Sequence, residues 1–309
     1  MGEGNSLMNT DLLNYINQRK KELNAVILAH FYQSAEIQDL ADFVGDSLEL
    51  SKQAATTDAD TLVFCGVKFM AESAKILSPA KTVLLPDLNA GCPMADMITA
   101  EDLKAKKEEY PDAVVVCYVN SSAEVKAESD ICCTSSNAIK VVESIPDHKP
   151  IIFVPDKNLG TYIQEKTNRD MILLWEGYCP IHDVLTGYEV EEQKKLHQNA
   201  EIIVHPECTP EVTRMADKVS STGGMLQYVQ NSPSQEFIIG TEENFLHTLT
   251  KNCPDKKYYL ARNNFTCKDM QYITPEKLAW SLEKCENRIE IPEDIRKRAY
   301  TALNKMINL

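Results

Sequence analysis

Short, wholly apolar runs alternate along the chain with stretches whose apolar positions recur every three or four residues. AVILA (25–29), DTLVFCG (60–66) and TVLLPD (82–87) are of the first kind and read as buried strands. TDLLNYINQRKKELN, from Thr10, is of the second: Leu12, Leu13, Ile16 and Leu23 fall on one helical stripe. Thr10 and Thr99 stand where N-caps are expected. AEIQDLADFV (35–44) reads as a single helical run after the first strand and its loop.

This pattern is written three times. HFYQSAEIQDLAD (30–42), YVNSSAEVKAESD (118–130) and HPECTPEVTRMAD (205–217) align without a gap, at steps of 88 and 87 residues. Each follows an apolar run: AVILA, AVVVC or AEIIV. DTLVFCG then matches PIIFVPD and EFIIGTE, and TVLLPD matches MILLWEG and KYYLAR, with helical connections between. Repeated strand–helix alternation predicts parallel sheets covered by helices. The expected class is α/β, as three similar α/β/α sandwich domains around a pseudo-threefold central site. Boundaries fall at 1–97, 98–185 and 186–273, with 274–309 as a helical tail. TPEKLAWSLEKC in that tail resembles the helix that opens a unit, and is expected to pack on the first domain.

Cysteine placement follows the same rhythm. Cys92, Cys179 and Cys267 each follow the last strand of a unit, at steps of 87 and 88 residues. Loops at the carboxyl ends of parallel strands are favoured ligand positions. Around a pseudo-threefold axis the three thiols converge. Three thiolates suit an iron-sulfur cluster that keeps one iron free of protein sulfur, able to act as a Lewis acid. Zinc, or a repeated core position without metal, is the alternative. Cys132, Cys133 and Cys208 fall near expected site loops and remain alternate ligands, whereas Cys65, Cys117, Cys253 and Cys285 read as packing thiols.

Polar residues repeat at the strand ends. His30, Tyr118 and His205 form one triplet; Tyr32, Asn120 and Glu207, two residues later, form the next. Imidazole, phenol and carboxylate suit proton transfer, with His205 and Glu207 the leading pair and Tyr32 next, while Asn120 suits orientation of a polar substrate. His182, three residues after Cys179, is a candidate for substrate contact or for tuning the thiol site. Ser47, Ser135 and Thr222 form a hydroxyl triplet at or beside helix N-termini, where exposed amides attract carboxylate or phosphate. Capping alone also explains any one of them.

Composition narrows the class. The 309 residues are 43% hydrophobic and 25% charged, ordinary for a globular protein, and the formal charge is −14. That balance argues against nucleic acid as a partner, since no basic excess meets the phosphates. No stretch has the roughly 20 apolar residues of a membrane span. Without a secretory pattern the cytoplasm is the expected compartment, and the ten cysteines are read as free thiols rather than a disulfide framework. The opening MGEGNS matches the outline of an acylation signal at Gly2 and Ser6, a match too short to carry weight.

Taken together, HFYQ, GDS, VLLPDLNAGCPMADM, YVNSSAEVKA, CTSSNA, PDKNLG, WEGYCPIH, HPEC, ADKVSSTGGM, GTE and CKDMQYITPEKL resemble the quinolinate synthase family, in order across residues 10–285. The resemblance implies a transferase of pyridine nucleotide (NAD) biosynthesis. It would condense iminoaspartate with dihydroxyacetone phosphate, giving quinolinate, phosphate and water. It also implies a [4Fe-4S] cluster, one per chain, on Cys92, Cys179 and Cys267, with one iron lacking a protein ligand. Tyr32, His205 and Glu207 would move protons, and Tyr118 and Asn120 would position the intermediate. His30, Ser47, Ser135 and Thr222 would hold carboxylate or phosphate, and His182 would line the cavity. Implied partners are an aspartate oxidase or dehydrogenase that supplies iminoaspartate, and cluster-assembly proteins. Two positions depart from the family pattern: Phe31 stands where relatives often have Tyr, and CKDMQ replaces the common CxxMK. Cys267 also lacks the neighbouring cysteines of some members, which removes a local disulfide switch.

Two other classes share part of this pattern. A cluster-dependent hydro-lyase on another small polyanion would keep the thiols and proton-transfer groups. A non-catalytic metabolite-binding protein would keep the helix ends and leave the thiols metal-free.

Overall fold

Three four-stranded sheets, parallel throughout, form the frame of the computed structural model, which describes residues 10–309. Gly2 and Ser6 lie outside the described residues. The first unit runs α1 (Thr10–Glu22), β1 (Ala25–His30), α2 (Ala35–Leu40), β2 (Phe43–Gly45), α3 (Ser47–Thr56), β3 (Thr61–Cys65), α4 (Lys68–Leu77) and β4 (Thr82–Leu84). The second runs α5 (Ala100–Glu109), β5 (Val114–Tyr118), α6 (Ala123–Ala127), β6 (Ile131–Cys133), α7 (Ala138–Glu143), β7 (Ile151–Val154), α8 (Lys157–Thr167) and β8 (Ile172–Leu174). The third repeats the order: α9 (Gly187–Leu196), β9 (Glu201–Val204), α10 (Pro210–Met215), β10 (Lys218–Val219), α11 (Thr222–Asn231), β11 (Glu236–Gly240), α12 (Phe245–Asn252) and β12 (Lys257–Leu260). The sheet orders are β2-β1-β3-β4, β6-β5-β7-β8 and β10-β9-β11-β12, one topology used three times.

The strands are apolar on both faces because helices cover both faces. Thr61–Cys65 is buried at every position, as is Ile151–Val154. Each fully buried Ile, Leu or Phe here contributes about 1.5–3 kcal/mol from apolar burial. The three units are α/β/α layers around a shared centre, and among the described residues no helix is long and apolar enough to cross a membrane.

The run AEIQDLADFV is two elements rather than one helix: α2 stops at Leu40, and Phe43–Gly45 joins β1 as an edge strand. The cause is Asp42. Its Oδ2 accepts the Ile27 amide at 2.8 Å, and its own amide donates to the Ile27 carbonyl at 2.9 Å, which turns the chain back onto β1. Asp130 accepts from Val115, and Asp217 from Ile202, both also at 2.8 Å. The repeated aspartate is thus a strand clamp.

Thr99, Thr186 and Thr274 cap α5, α9 and α13 (Pro275–Lys284), each accepting an amide three residues on. Thr10 lies within α1. Helix α13 packs on α1, with Arg19 Nη2 donating to the Leu282 carbonyl at 3.2 Å. Helix α14 (Glu293–Ile307) crosses to α6 and β6, where Asn137 Nδ2 donates to the Met306 carbonyl at 3.2 Å. The tail therefore straps the first two units together.

A candidate active site where the units meet

The loops that carry Cys92, Cys179 and Cys267 are anchored alike. The amides of Lys68, Lys157 and Glu243 donate to the carbonyls of Ala90, Gly177 and Phe265, each at 2.8 Å and each two residues before the cysteine. Gly177 must be glycine because a Cβ there would lie 2.4 Å from the Pro155 carbonyl oxygen. Two loops have a second anchor. Asp156 Oδ2 accepts the Cys179 amide, and Glu242 Oε1 the Cys267 amide, both at 3.2 Å. The first unit has Val67 in that place, which offers no carboxylate to the Cys92 amide.

These three cysteines line one cavity, together with His30, Tyr32, Tyr118, Asn120, His182, His205 and Glu207. Ser47, Ser135 and Thr222 line it too. Cys132, Cys133 and Cys208 are buried outside the lining, which removes them as alternate ligands. All ten cysteines are free thiols. Burial pushes the three lining thiols up, Cys267 to about 12. The Glu207 charge, then the neighbouring Cys92 and Cys267, add to the rise at Cys179. A soft, converging sulfur set that resists ionisation on its own matches iron-sulfur chemistry, in which the metal offsets the thiolate charge.

The polar groups form an ordered array. His30 Nδ1 accepts the amide of Tyr32 at 3.2 Å, and His205 Nδ1 accepts the amide of Glu207 at 3.3 Å. Repeat-related histidines thus share one tautomer, with Nε2–H left to donate. Burial pulls them down, His30 to about 4 and His205 to about 3, so both are neutral near pH 7. Glu207 Oε2 lies 3.6 Å from His205 Nδ1, beyond hydrogen-bond reach, and 2.7 Å from His182 Nδ1. Tyr118 donates its hydroxyl to Glu207 Oε1 at 2.6 Å. Burial raises the Glu207 carboxyl, but the His205 and His182 imidazoles and the bonds from His182 and Tyr118 outweigh it and hold it at about 2. Burial, then the Glu207 charge, push the Tyr32 and Tyr118 phenols up.

Cys179, His182 and Glu207 bring donor atoms within 4.8 Å of one another, a metal-binding composition that shares Cys179 with the thiol triplet. His182 Nδ1 already lies 3.2 Å from Cys179 Sγ, and its Nε2 lies 2.9 Å from Thr241 Oγ1.

The hydroxyl triplet sits one step away from the capping role. Ser47 and Thr222 are the first residues of α3 and α11, while Asp46 and Ser221 are the caps. Ser135 lies in the turn before α7, whose N-cap position is Asn137. All three residues line the cavity. Ser136 Oγ bonds both Asp46 and Ser221, so all three units meet at this wall. Asn120 Oδ1 is buried without a protein partner.

Asp46, Thr241 and Glu242 were not singled out from the sequence, yet Asp46 and Glu242 line the cavity and Thr241 touches two groups that do. Burial pushes the Glu242 carboxyl up to about 8. Asp46 and Thr241 have no like residue in the other units, and Glu242 has one only in Asp156, so no position here repeats three times.

The sequence matches the family model described as Quinolinate synthetase A protein over residues 14–308. The chain belongs to the quinolinate synthase family. It is 52% identical over 299 residues to the quinolinate synthase of Desulforudis audaxviator, covering 97% of this chain and 98% of that one. It is 51% identical over 301 residues to that of Methanosarcina barkeri, again covering 97% and 98%. The Clostridium perfringens protein of the same name is 50% identical over 299 residues, covering 97% and 99%. Membership in this family makes the chain a metal-binding enzyme of NAD biosynthesis that uses a [4Fe-4S] cluster.

Proposed function

We propose that the cavity condenses iminoaspartate with dihydroxyacetone phosphate to give quinolinate, phosphate and water. The observation that carries this reading is the convergence of three thiols, one after the last strand of each unit, on the cavity that holds Glu207 and Tyr32. Cys92, Cys179 and Cys267 hold the cluster, which supplies a Lewis acid for oxygen-bearing groups. Every other task falls to side chains. His30 and His205 offer neutral Nε2–H donors, and the N-terminus of α11 offers amides, so two anionic substrates bind in an acidic protein. Ser47, Ser135 and Thr222 add hydroxyl contacts to carboxylate or phosphate. The unpartnered Asn120 Oδ1 is available to the intermediate, which Tyr118 and Asn120 orient together.

Carbon–carbon bond formation, isomerisation, ring closure and loss of water all require proton movement. His205, Glu207 and Tyr32 carry it, with Glu207 a carboxylate and Tyr32 a phenol at rest. His182 lines the same wall. The unit boundaries at 97/98, 185/186 and 273/274 belong to this reading. So do a cytoplasmic setting, an iminoaspartate-forming oxidase or dehydrogenase as supplier, and cluster-assembly partners. Ten free thiols support a reducing compartment.

The test is anaerobic. Iron, acid-labile sulfide and the visible cluster band are measured first. The loaded protein is then given both substrates, and quinolinate and phosphate are followed together. Absence of sulfide after competent assembly defeats the cluster assignment. Phosphate without quinolinate favours another lyase.

A further inference from the structure

The backbone of Tyr32 is held at both its amide and its carbonyl. The amide donates to His30 Nδ1 at 3.2 Å, and the carbonyl accepts from Gln271 Nε2 at 3.0 Å. Glu207 is held in the same way. Its amide donates to His205 Nδ1 at 3.3 Å, and its carbonyl accepts from Asn158 Nδ2 at 3.1 Å. Both carbonyl bonds come from a neighbouring unit, and both lead to a cysteine loop. Gln271 lies four residues after Cys267. Asn158, in the first turn of α8, also donates at 2.8 Å to Oδ1 of Asp183, four residues after Cys179. Gln33 closes the first contact from the other side, its Nε2 donating to the Met270 carbonyl at 2.8 Å.

Asn120 occupies the matching place in the second unit, and its carbonyl would have to be held from the first. Counting from the amides that anchor the cysteine loops, the first unit has Phe69 where the second has Asn158. Counting from the cysteine, it has Asp96 where the third has Gln271. An aromatic ring and a carboxylate have no hydrogen to donate. The architecture of a unit therefore does not require a side-chain amide here. Such an amide stands at the two junctions that carry acid–base groups and is missing at the one that carries Asn120. The two amides also come from different positions of the repeat, so what recurs is the bond and not the residue.

We propose that Gln271 and Asn158 are positioning residues, which fix Tyr32 and Glu207 against the loops of Cys267 and Cys179. The inference rests on the proton-transfer roles proposed above for Tyr32 and Glu207. A side chain is aimed by its backbone, so a carbonyl tied across the unit boundary sets where the phenol and the carboxylate end relative to the thiols. Proton transfer needs its partners within about 3 Å, and a misplacement of about 1 Å costs on the order of 100-fold in rate. Gln271 is also the position at which CKDMQ departs from CxxMK, and a lysine there would offer the Tyr32 carbonyl a donor of similar reach.

The test compares Gln271→Met, Gln271→Asn and Gln271→Lys, each loaded anaerobically. Met keeps the length and removes the donor, Asn keeps the amide but falls a methylene short, and Lys keeps a donor. The Met and Asn proteins are expected to retain iron, sulfide and KM, with kcat per loaded cluster lower by about 10–100-fold, and Lys to restore most of it. Amide exchange in residues 30–34 should quicken in the Met protein while residues 205–209 stay unchanged, and Asn158→Leu should do the reverse. A merely structural role lowers loading and thermal midpoint together and leaves kcat per cluster unchanged. A kcat per cluster within about twofold of the unsubstituted value in Gln271→Met therefore overturns the assignment of Gln271, and the same result in Asn158→Leu overturns that of Asn158. If Gln271→Met does not load, Gln271→Asn decides by the same criterion. Tyr32→Phe and Glu207→Gln run alongside. Full rates in both defeat the underlying reading, whereas full rate in Gln271→Met beside a slow Tyr32→Phe defeats only the positioning.

Discussion

His182 and Glu207 face each other inside the protein, imidazole Nδ1 2.7 Å from carboxylate Oε2. Because Tyr118 holds the other carboxylate oxygen at 2.6 Å, Glu207 is fixed in place before any substrate arrives. A buried base held by two donors costs no reorganisation at the moment of reaction. The burial that would otherwise neutralise it is overcome, and it remains ionised.

Glu207→Gln tests this directly. The amide cannot accept from both Tyr118 and His182 while its NH2 group needs an acceptor of its own. Turnover should fall about 10²–10⁴-fold, the usual worth of a general acid–base group, with iron and sulfide retained. Steady-state rates beside iron analysis check it, and unchanged turnover rules out an essential role.

The cysteines separate by position. Cys92→Ser, Cys179→Ser and Cys267→Ser should each lose most cluster loading, because a hydroxyl is a poor substitute for thiolate. Cys253→Ser, outside the cavity at the end of α12, should load normally. Iron-to-protein and sulfide-to-protein ratios after anaerobic assembly decide the matter. Full loading in any of the first three defeats that ligand.

What could be read in advance was whatever recurs. Strand runs such as TLVFC, IIFV and EFIIG announce three sheets because burial on both faces leaves continuous apolar stretches. The edge strands Phe43–Gly45, Ile131–Cys133 and Lys218–Val219 stayed hidden, being too short for any period to register. Cys92, Tyr32 and Ser47 stood out by matching positions one and two units along. Thr241 and Asp46 do not match, and their contacts run between units, which no local pattern encodes.

The clamp at Asp130 should be visible in stability. Its carboxylate holds the Val115 amide at 2.8 Å and so fixes the return of the chain to β6. Hydrogen bonds to charged groups contribute about 1.5–3 kcal/mol, so Asp130→Ala should lower unfolding free energy by roughly that amount. Urea unfolding of the anaerobic protein measures it. A change below about 0.5 kcal/mol, the range of an ordinary surface substitution, defeats the clamp.

Acid should weaken the fold before it reaches the carboxylates. His30 and His205 are held at about 4 and about 3, below the ordinary histidine value of roughly 6.5. Above that ordinary value both the folded and unfolded chains leave them neutral, and pH has no effect through them. As pH falls below it, the unfolded chain takes up protons that the folded chain refuses, so stability declines until the folded values are reached. At pH 5.5 the loss is about 1.2 kcal/mol for each histidine relative to pH 7. Asn in place of His205 keeps an acceptor near Nδ1 for the Glu207 amide but cannot titrate. His205→Asn should therefore flatten the decline in thermal midpoint between pH 7 and about 5.5, ahead of the range in which ordinary carboxyls protonate. Identical slopes in the two proteins would show that His205 is protonated as readily inside the fold as outside it.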